Sequence, residues 1–196
     1  MIISRRSQII ETAELIFKEK GYSATGIREI AKEVGIEPAS LYNHIGSKEE
    51  ILKTICFEMA EAFFNSYSES IISLENAVPE TKLHSMIRAH ISVIYNNWNA
   101  SSVFLSEWKY LSEPNLSSFK TLRKKYENLF SGVLLEGRDK GDFEYNDIKI
   151  TLFFIFSAMN SVHELQRSGK KVALEDISKE IGTLIINSIK KIHYVR

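Results

Sequence analysis

Apolar residues recur at helical spacing along almost the whole of this chain, and that pattern constrains its fold more than any other feature. The three prolines and nine glycines fall between the periodic segments, so they separate helices instead of interrupting them. The spacing is not the alternation that is typical of strands. We therefore predict an all-α fold of about nine helices.

The length of the chain indicates a globular protein, and its net charge does not indicate which kind of molecule it binds. A chain of 196 residues is long enough to bury roughly 70% of its unfolded surface in a real core. The 25 basic and 25 acidic residues cancel, so bulk charge gives no argument for nucleic acid. Cys56 is the single cysteine, and the longest apolar run, 152–156, is too short to cross a bilayer. We expect a cytoplasmic protein.

The first 50 residues carry unusually clear helix boundaries. A first helix is predicted from near Ser4 to Lys20, and a second is predicted to follow Thr25 as its N-cap and to end at Gly35. Pro38 suits the first turn of a third, short helix, which we expect to run to about His44.

A fourth helix has the strongest start signal in the chain. Ser47 stands three residues before Glu50, which is the spacing of a capping box, and an apolar periodic run follows. The order of two short helices, a glycine turn and a long helix is typical of a helix-turn-helix unit. A small helical domain with a merely solvated face is the alternative.

The outer side of the third helix favours the DNA-binding interpretation. Ala39, Ser40 and Asn43 have small or amide side chains that can approach base edges. The phenol of Tyr42 and the imidazole of His44 can reach phosphates. Lys48 adds a cation at the start of the next helix.

Residues 25–52, TGIREIAKEVGIEPASLYNHIGSKEEIL, resemble the DNA-binding signature of the TetR family of transcriptional regulators. The resemblance implies two groups of contacts. The DNA backbone is held by Thr25, Tyr42, His44 and Lys48, and the major groove is faced by Ala39, Ser40 and Asn43. The full predicted DNA-binding set is Thr25, Arg28, Ala39, Ser40, Tyr42, Asn43, His44 and Lys48.

Two positions depart from the family pattern. Glu37 and Pro38 stand where the family usually has a serine cap and often a polar or basic residue, which puts one phosphate contact in doubt. Ile45 replaces the usual phenylalanine, and we interpret it as a substitution within the core.

Five further helices are predicted in the rest of the chain, at roughly 79–97, 101–111, 115–140, 146–167 and 174–193. The last is amphipathic and includes Ile192. We expect two domains, a DNA-binding domain at 1–47 and a ligand-binding and dimerisation domain at 48–196, with the helix from residue 48 as connector.

The helix predicted at 146–167 is apolar nearly all round near 152–156, so it must be buried on two sides. One side can face its own domain, and the other can face a second copy. The resemblance implies a dimer that packs the final two long helices of each chain together. We therefore predict a homodimer that binds a palindromic operator in double-stranded DNA.

Aromatic residues in the middle of the chain are candidates for an effector pocket, although a core role is the alternative for each of them. The segments FLSEWKYL, EGRDKGDF and SAMNSVHE resemble those of TetR regulators that respond to acyl-CoA thioesters. The resemblance implies a small, largely apolar effector. The predicted ligand-binding residues are Trp98, Phe104, Trp108, Arg123, Tyr126, Phe130, Phe156, Asn160 and His163.

Two other classes of function stay open at this point. An enzyme would need a catalytic or metal-binding group, yet the five histidines lack the spacing of a metal site, and we expect no cofactor, no metal and no catalysis. His84 and His90 fit solvated or core positions, and Glu49 and Glu50 fit helix-start or solvent-facing charges. A helical adaptor would suit the neutral charge but not the match at 25–52. A DNA-binding repressor of the TetR type is the function we predict.

Overall fold

The computed structural model describes residues 4–167 and 172–191, and the prediction of an all-α fold is confirmed. The α-helices are α1 (Arg5–Lys20), α2 (Ile27–Val34), α3 (Pro38–Leu41), α4 (Lys48–Ile71), α5 (Pro79–Asn96), α6 (Trp98–Ser106), α7 (Asn115–Asp139), α8 (Ile148–Asn160), α9 (Val162–Arg167) and α10 (Leu174–Ile189). A 3-10 turn at Trp108–Tyr110 follows α6.

The chain forms two compact units. The first unit contains the residues up to Glu61 together with Asn97–Leu122. The second contains Ala62–Asn96 and the residues from Arg123 onward. Helices α4 and α7 each contribute residues to both units.

The caps of the first two helices differ in one respect from the sequence pattern. Helix α1 begins next to Ser4, as predicted, and Ser4 is its N-cap, because the Ser4 hydroxyl accepts the Ser7 amide at 3.0 Å. The prediction of Thr25 as the N-cap of α2 is wrong, since Gly26 occupies that position. The Thr25 hydroxyl instead donates to the Gly21 carbonyl at 2.9 Å, so it closes the turn after α1.

The turn between α2 and α3 depends on a left-handed glycine. Gly35 has φ 76° and ψ 36°, and the next amide, of Ile36, donates to the Ala31 carbonyl at 2.9 Å. Helix α3 ends at Leu41, earlier than the predicted His44, and the chain continues in a turn in which the His44 amide donates to the Leu41 carbonyl at 2.9 Å.

The capping box before α4 is confirmed with a shift of one residue. The Glu50 amide donates to the Ser47 hydroxyl at 3.0 Å, as the motif requires. The returning Glu50 carboxylate accepts the Gly46 amide at 2.7 Å instead of the Ser47 amide.

The core of the first unit is built from two stretches that are far apart in sequence. Phe17, Leu41 and Ile55 come from the N-terminal helices, whereas Leu111 and Phe119 come from the later stretch, and all five are buried in one cluster. Ile45 also lies in this core, so its interpretation as a core substitution is confirmed.

Two of the predicted helices of the second unit differ from the structure. The segment predicted as one helix at 146–167 is interrupted at Ser161, whose hydroxyl donates to the Ala158 carbonyl at 2.7 Å. Helix α10 ends at Ile189, and Ile192 lies outside the described residues.

Helix α8 has one buried and one exposed apolar face. Leu152, Ile155 and Met159 are buried within the second unit. Phe153 on the other face is 74% exposed, and Ile150 is 69% exposed. Within the described residues, none of the helices combines the length and apolarity needed to cross a membrane.

Two glycines of α7 give a matched test of how Phe143 packs on that helix. A Cβ at Gly137 would lie 2.1 Å from the buried Phe143 ring, so Gly137→Ala should destabilise the protein by about 2 kcal/mol. Gly132→Ala meets no atom within 4 Å and should stabilise the helix by about 0.5–1 kcal/mol. Urea unfolding of both variants measures the difference, and equal stabilities would contradict the packing of Phe143 on α7.

Candidate DNA-binding and effector sites

Most of the predicted DNA contacts lie on the exposed surface of α2, α3 and the turn after α3. The Tyr42 side chain is 54% exposed. Short amide and hydroxyl side chains beside a phenol and an imidazole can combine contacts to bases with contacts to phosphates. The exposed members of the set are Arg28, Ala39, Ser40, Tyr42, Asn43 and His44.

Thr25 and Lys48 are placed differently. Thr25 is buried, with 2% of its surface exposed. The half-buried Lys48 ammonium donates to the carbonyls of Tyr22 at 2.9 Å and Thr25 at 2.8 Å, and it lies 4.2 Å from the centroid of the Tyr22 ring. In this structure both residues hold the turn between α1 and α2 against the start of α4.

Charge near this surface is partly compensated. Lys20 forms an ion pair and hydrogen bond with Glu29, and the hydrogen bond lowers the pKa of the Glu29 carboxyl. Glu37 occupies the N-cap of α3 without a side-chain capping bond, which agrees with its departure from a serine cap. Arg28 is exposed on the same helix as Glu29, so it is a cation that this surface can present to phosphate.

A neutral polar network lies inside the second unit. His90 is buried on α5, with Nδ1 3.3 Å from the Tyr126 hydroxyl and Nε2 3.0 Å from Asn160 Oδ1. Burial lowers the pKa of His90 to about 4, against the opposing effect of the bond to Asn160, so the ring is neutral near pH 7. Because the amide oxygen can only accept, Nε2 carries the proton and Nδ1 accepts from Tyr126.

Aromatic rings surround this network. Phe63 stacks on the His90 ring with centroids 4.6 Å apart, and the rings of Phe130 and Phe156 lie 4.9 Å apart beside it. Tyr126 packs against Phe63 at 5.5 Å. The cluster thus combines apolar surface with a few uncharged hydrogen-bonding groups, which is the composition typical of sites for small molecules.

The predicted ligand-binding residues do not all come together. Tyr126, Phe130, Phe156 and Asn160 meet in the aromatic cluster. Arg123 belongs to the same unit. His163 follows the cluster on α9, where its Nδ1 lies 2.8 Å from the Asn160 carbonyl oxygen.

Trp98, Phe104 and Trp108 belong to the first unit. The Lys18 ammonium lies 4.9 Å from the Trp98 ring centroid, and both Phe104 and Trp108 pack against Phe119. The single pocket predicted from sequence therefore falls into two units.

The family of the chain follows from two matching family models. Residues 9–55 match the model described as "Bacterial regulatory proteins, tetR family". Residues 76–189, more than half of the chain, match "Tetracyclin repressor-like, C-terminal domain". This chain belongs to the TetR family of transcriptional regulators.

Relatives within the TetR family align over almost the whole chain. The HTH-type transcriptional repressor KstR2 of Rhodococcus jostii is 26% identical over 192 residues, covering 96% of this chain and 93% of that protein. The fatty acid metabolism regulator protein of Bacillus subtilis is 26% identical, covering 93% and 94% of the two chains. The solved structure of the ketosteroid transcriptional regulator KstR2 of Mycobacterium tuberculosis superimposes with a TM-score of 0.88 at 25% identity and covers 97% of each chain.

The ligand-binding residues predicted from the sequence of this TetR-family protein do not include His90 or Phe63. The structure confirms the core interpretation of His90, which lies at the centre of the aromatic cluster. The sequence does contain a signal for His90, because this histidine lies on the same face of α5 as a series of apolar residues, and those residues are buried in the structure. Local spacing alone could not show which helices supply its partners.

The buried imidazole predicts a specific dependence of stability on pH. Since the folded-state pKa of His90 is depressed, its contribution is complete above the unfolded pKa near 6.5 and is lost as pH falls towards 4. His90→Gln should be less stable than wild type at pH 7, and that difference should narrow by about 3 kcal/mol at pH 4. Urea unfolding across this range provides the measurement.

A second group with a shifted pKa, the Glu14 carboxyl, also makes stability depend on pH, so His90→Gln must be compared with wild type at each pH. Burial, with Glu11 and Glu58, raises the pKa of Glu14 to about 7, a contribution that is lost as pH rises. The contribution of Glu14 to stability changes with pH in the opposite direction to that of His90. Because wild type and His90→Gln both contain Glu14, this contribution cancels in the stability difference between them. His44→Gln, at an exposed position, is the control. A stability difference for His90→Gln that is independent of pH would contradict a buried neutral ring.

Proposed function

We propose that this TetR-family protein is a cytoplasmic repressor that binds a palindromic operator as a homodimer and responds to a small, largely apolar effector. The observation that carries the proposal is the exposed surface of α3, bounded by the glycine turn before it and the capped start of α4 after it. Relatives named as transcriptional repressors support it. The proposal includes no enzymatic activity, in keeping with the names of those relatives.

The proposed contacts divide into two kinds. Arg28, Tyr42 and His44 bind phosphates, which sets orientation, and the small and amide side chains of α3 read base edges. Lys48 uses two of its three N–H donors within the protein, so one stays available for a phosphate. Thr25 is buried and takes part through the turn that it closes.

The dimer proposal rests on the exposed apolar face of α8. Ile150, Phe153 and Phe154 follow the i, i+3, i+4 spacing of one helix face, and each is at least 46% exposed. Leu184 of α10, a helix that packs with α8, is 59% exposed. Several exposed apolar side chains on one helix face favour an interaction site, and a two-fold partner would bury the same patch on both copies.

The effector proposal rests on the aromatic cluster of the second unit and on the names of two relatives. One is named for fatty acid metabolism and the other for ketosteroids, and both kinds of molecule are largely apolar. Together with the resemblance to acyl-CoA-responsive regulators, these names favour an acyl-CoA or a similar thioester. The apolar part would lie against Phe63, Phe130 and Phe156.

Coupling in this proposal is a shift between two states of the dimer. Effector binding alters the tilt of α4, which contributes residues to both units, and so changes the separation of the two copies of α3. The effector can shift this equilibrium only through its different affinities for the two states, typically about 1–3 kcal/mol.

Titration of the purified protein with duplex DNA from upstream of its own gene tests the function. Wild type should bind selectively, and Arg28→Ala should weaken binding to all sequences and reduce the salt slope by about one unit. Asn43→Ala should instead change the preferred sequence, because it loses a base contact. Palmitoyl-CoA should change the affinity of wild type for the operator.

Absence of selective binding at low salt would contradict the repressor proposal. Identical behaviour of Arg28→Ala and Asn43→Ala across operator variants would contradict the division of contacts. An operator affinity that neither palmitoyl-CoA nor shorter acyl-CoAs change would contradict the effector class alone.

A charge on the exposed face of α8 tests the dimer. Phe153→Glu should convert the protein to monomers, because a carboxylate would be buried without a partner in the interface. Sedimentation equilibrium measures the mass. Leu15→Glu, at a 46% exposed apolar position of the first unit, is the control and should stay dimeric. A dimeric Phe153→Glu would place the interface elsewhere.

A further inference from the structure

Residues 107–114 connect α6 to α7 within the first unit, and we call them, together with Asn115 at the start of α7, the strap. Two carboxylates attach the strap to elements that precede it by more than 60 residues in sequence. One attachment reaches the turn between α1 and α2, and the other reaches the start of α4. These two elements flank the helix-turn-helix on either side.

The first attachment is at Tyr22. Its amide donates to Glu107 Oε2 at 2.8 Å, and its ring stacks on Tyr110 of the strap with centroids 5.6 Å apart. The Tyr22 carbonyl also accepts from the Lys48 ammonium at 2.9 Å. Tyr22 is thereby bonded to the strap and to α4 together.

The second attachment is at Glu49. Its Oε1 accepts hydrogen bonds from the Ser112 backbone amide at 3.0 Å, from the Ser112 hydroxyl, and from the Asn115 side-chain Nδ2 at 3.4 Å. These hydrogen bonds lower the pKa of the Glu49 carboxyl, which keeps it ionised. Three donors on one carboxylate oxygen fix the start of α4 against the strap.

Both attachments are of a kind that fixes geometry. Hydrogen bonds to an ionised carboxylate are directional and roughly twice as strong as neutral ones. Apolar packing in the core of the first unit, to which Leu111 and Phe119 contribute, stabilises the unit but is not directional. The strap therefore restrains the two segments between which α2 and α3 are presented.

We propose that Glu49 and Glu107 are positioning residues for operator binding. They anchor the strap, and the strap holds the turn before α2 and the start of α4 in the arrangement that presents α3 to DNA, without touching DNA itself. This inference rests on the proposed function as an operator-binding protein.

The test compares operator affinity among conservative variants. Glu49→Gln, Glu107→Gln and Ser112→Ala each weaken one attachment. Glu113→Gln instead changes a strap carboxylate that accepts the nearby Ser117 amide, at 3.3 Å. Fluorescence anisotropy at several salt concentrations measures binding to the duplex from the protein's own upstream region. Thermal unfolding is measured alongside.

The three attachment variants should lose about three- to tenfold in operator affinity, equally for all operator sequences. The salt slope should stay that of wild type, because no phosphate contact is removed. Glu113→Gln should bind like wild type. Ser112→Ala removes a single hydroxyl from an exposed residue and should not disturb folding. It therefore tests the Glu49 attachment even if a glutamate variant does not fold.

Three results separate the possibilities. If wild type binds its operator and the attachment variants match Glu113→Gln, the strap proposal is overturned and the proposed function stands. If affinity falls only in proportion to a lowered unfolding temperature, the strap is a stability element and the proposal is likewise overturned. If wild type shows no selective binding, the proposed function itself fails.

Discussion

The first unit depends on a core that the N-terminal helices cannot complete alone. Units of 50–60 residues bury a smaller share of their surface than larger domains do, and their stability is marginal for that reason. Here Val103, Leu111 and Phe119 enter the same cluster as Phe17 and Leu41. The surface of α3 is therefore supported by residues that follow it by more than 50 positions, so its geometry is set by a distant part of the chain.

Polar contacts have different characters in the two units because their surroundings differ. In the first unit, Glu49 and Glu107 accept hydrogen bonds from backbone amides at partly exposed positions. In the second, His90 is buried among rings and is neutral, with its two nitrogens satisfied by a phenol and an amide. A charged group at this buried position would carry a large desolvation cost. A neutral hydrogen-bonded network fixes the orientation of the side chains without that cost.

Features with local causes could be predicted from the sequence, and features with distant causes could not. The helix-turn-helix, the Gly35 turn and the Ser47 capping box follow from neighbouring residues. Thr25 was misassigned as a cap because its hydroxyl is taken by Gly21, and the role of Glu49 was missed because Ser112 lies 63 residues away. The division of the aromatic residues between two units has the same origin, since side-chain type does not reveal the partner helix.

The neutral network also limits how an acyl-CoA could bind in the proposed function. The phosphates of coenzyme A are anionic, and His90, with its pKa lowered to about 4, offers them no positive charge near pH 7. The acyl chain suits the rings of Phe63, Phe130 and Phe156, and a thioester carbonyl suits an amide donor such as Asn160. The nucleotide part would then have to lie outside this cluster, where water or surface cations can solvate it.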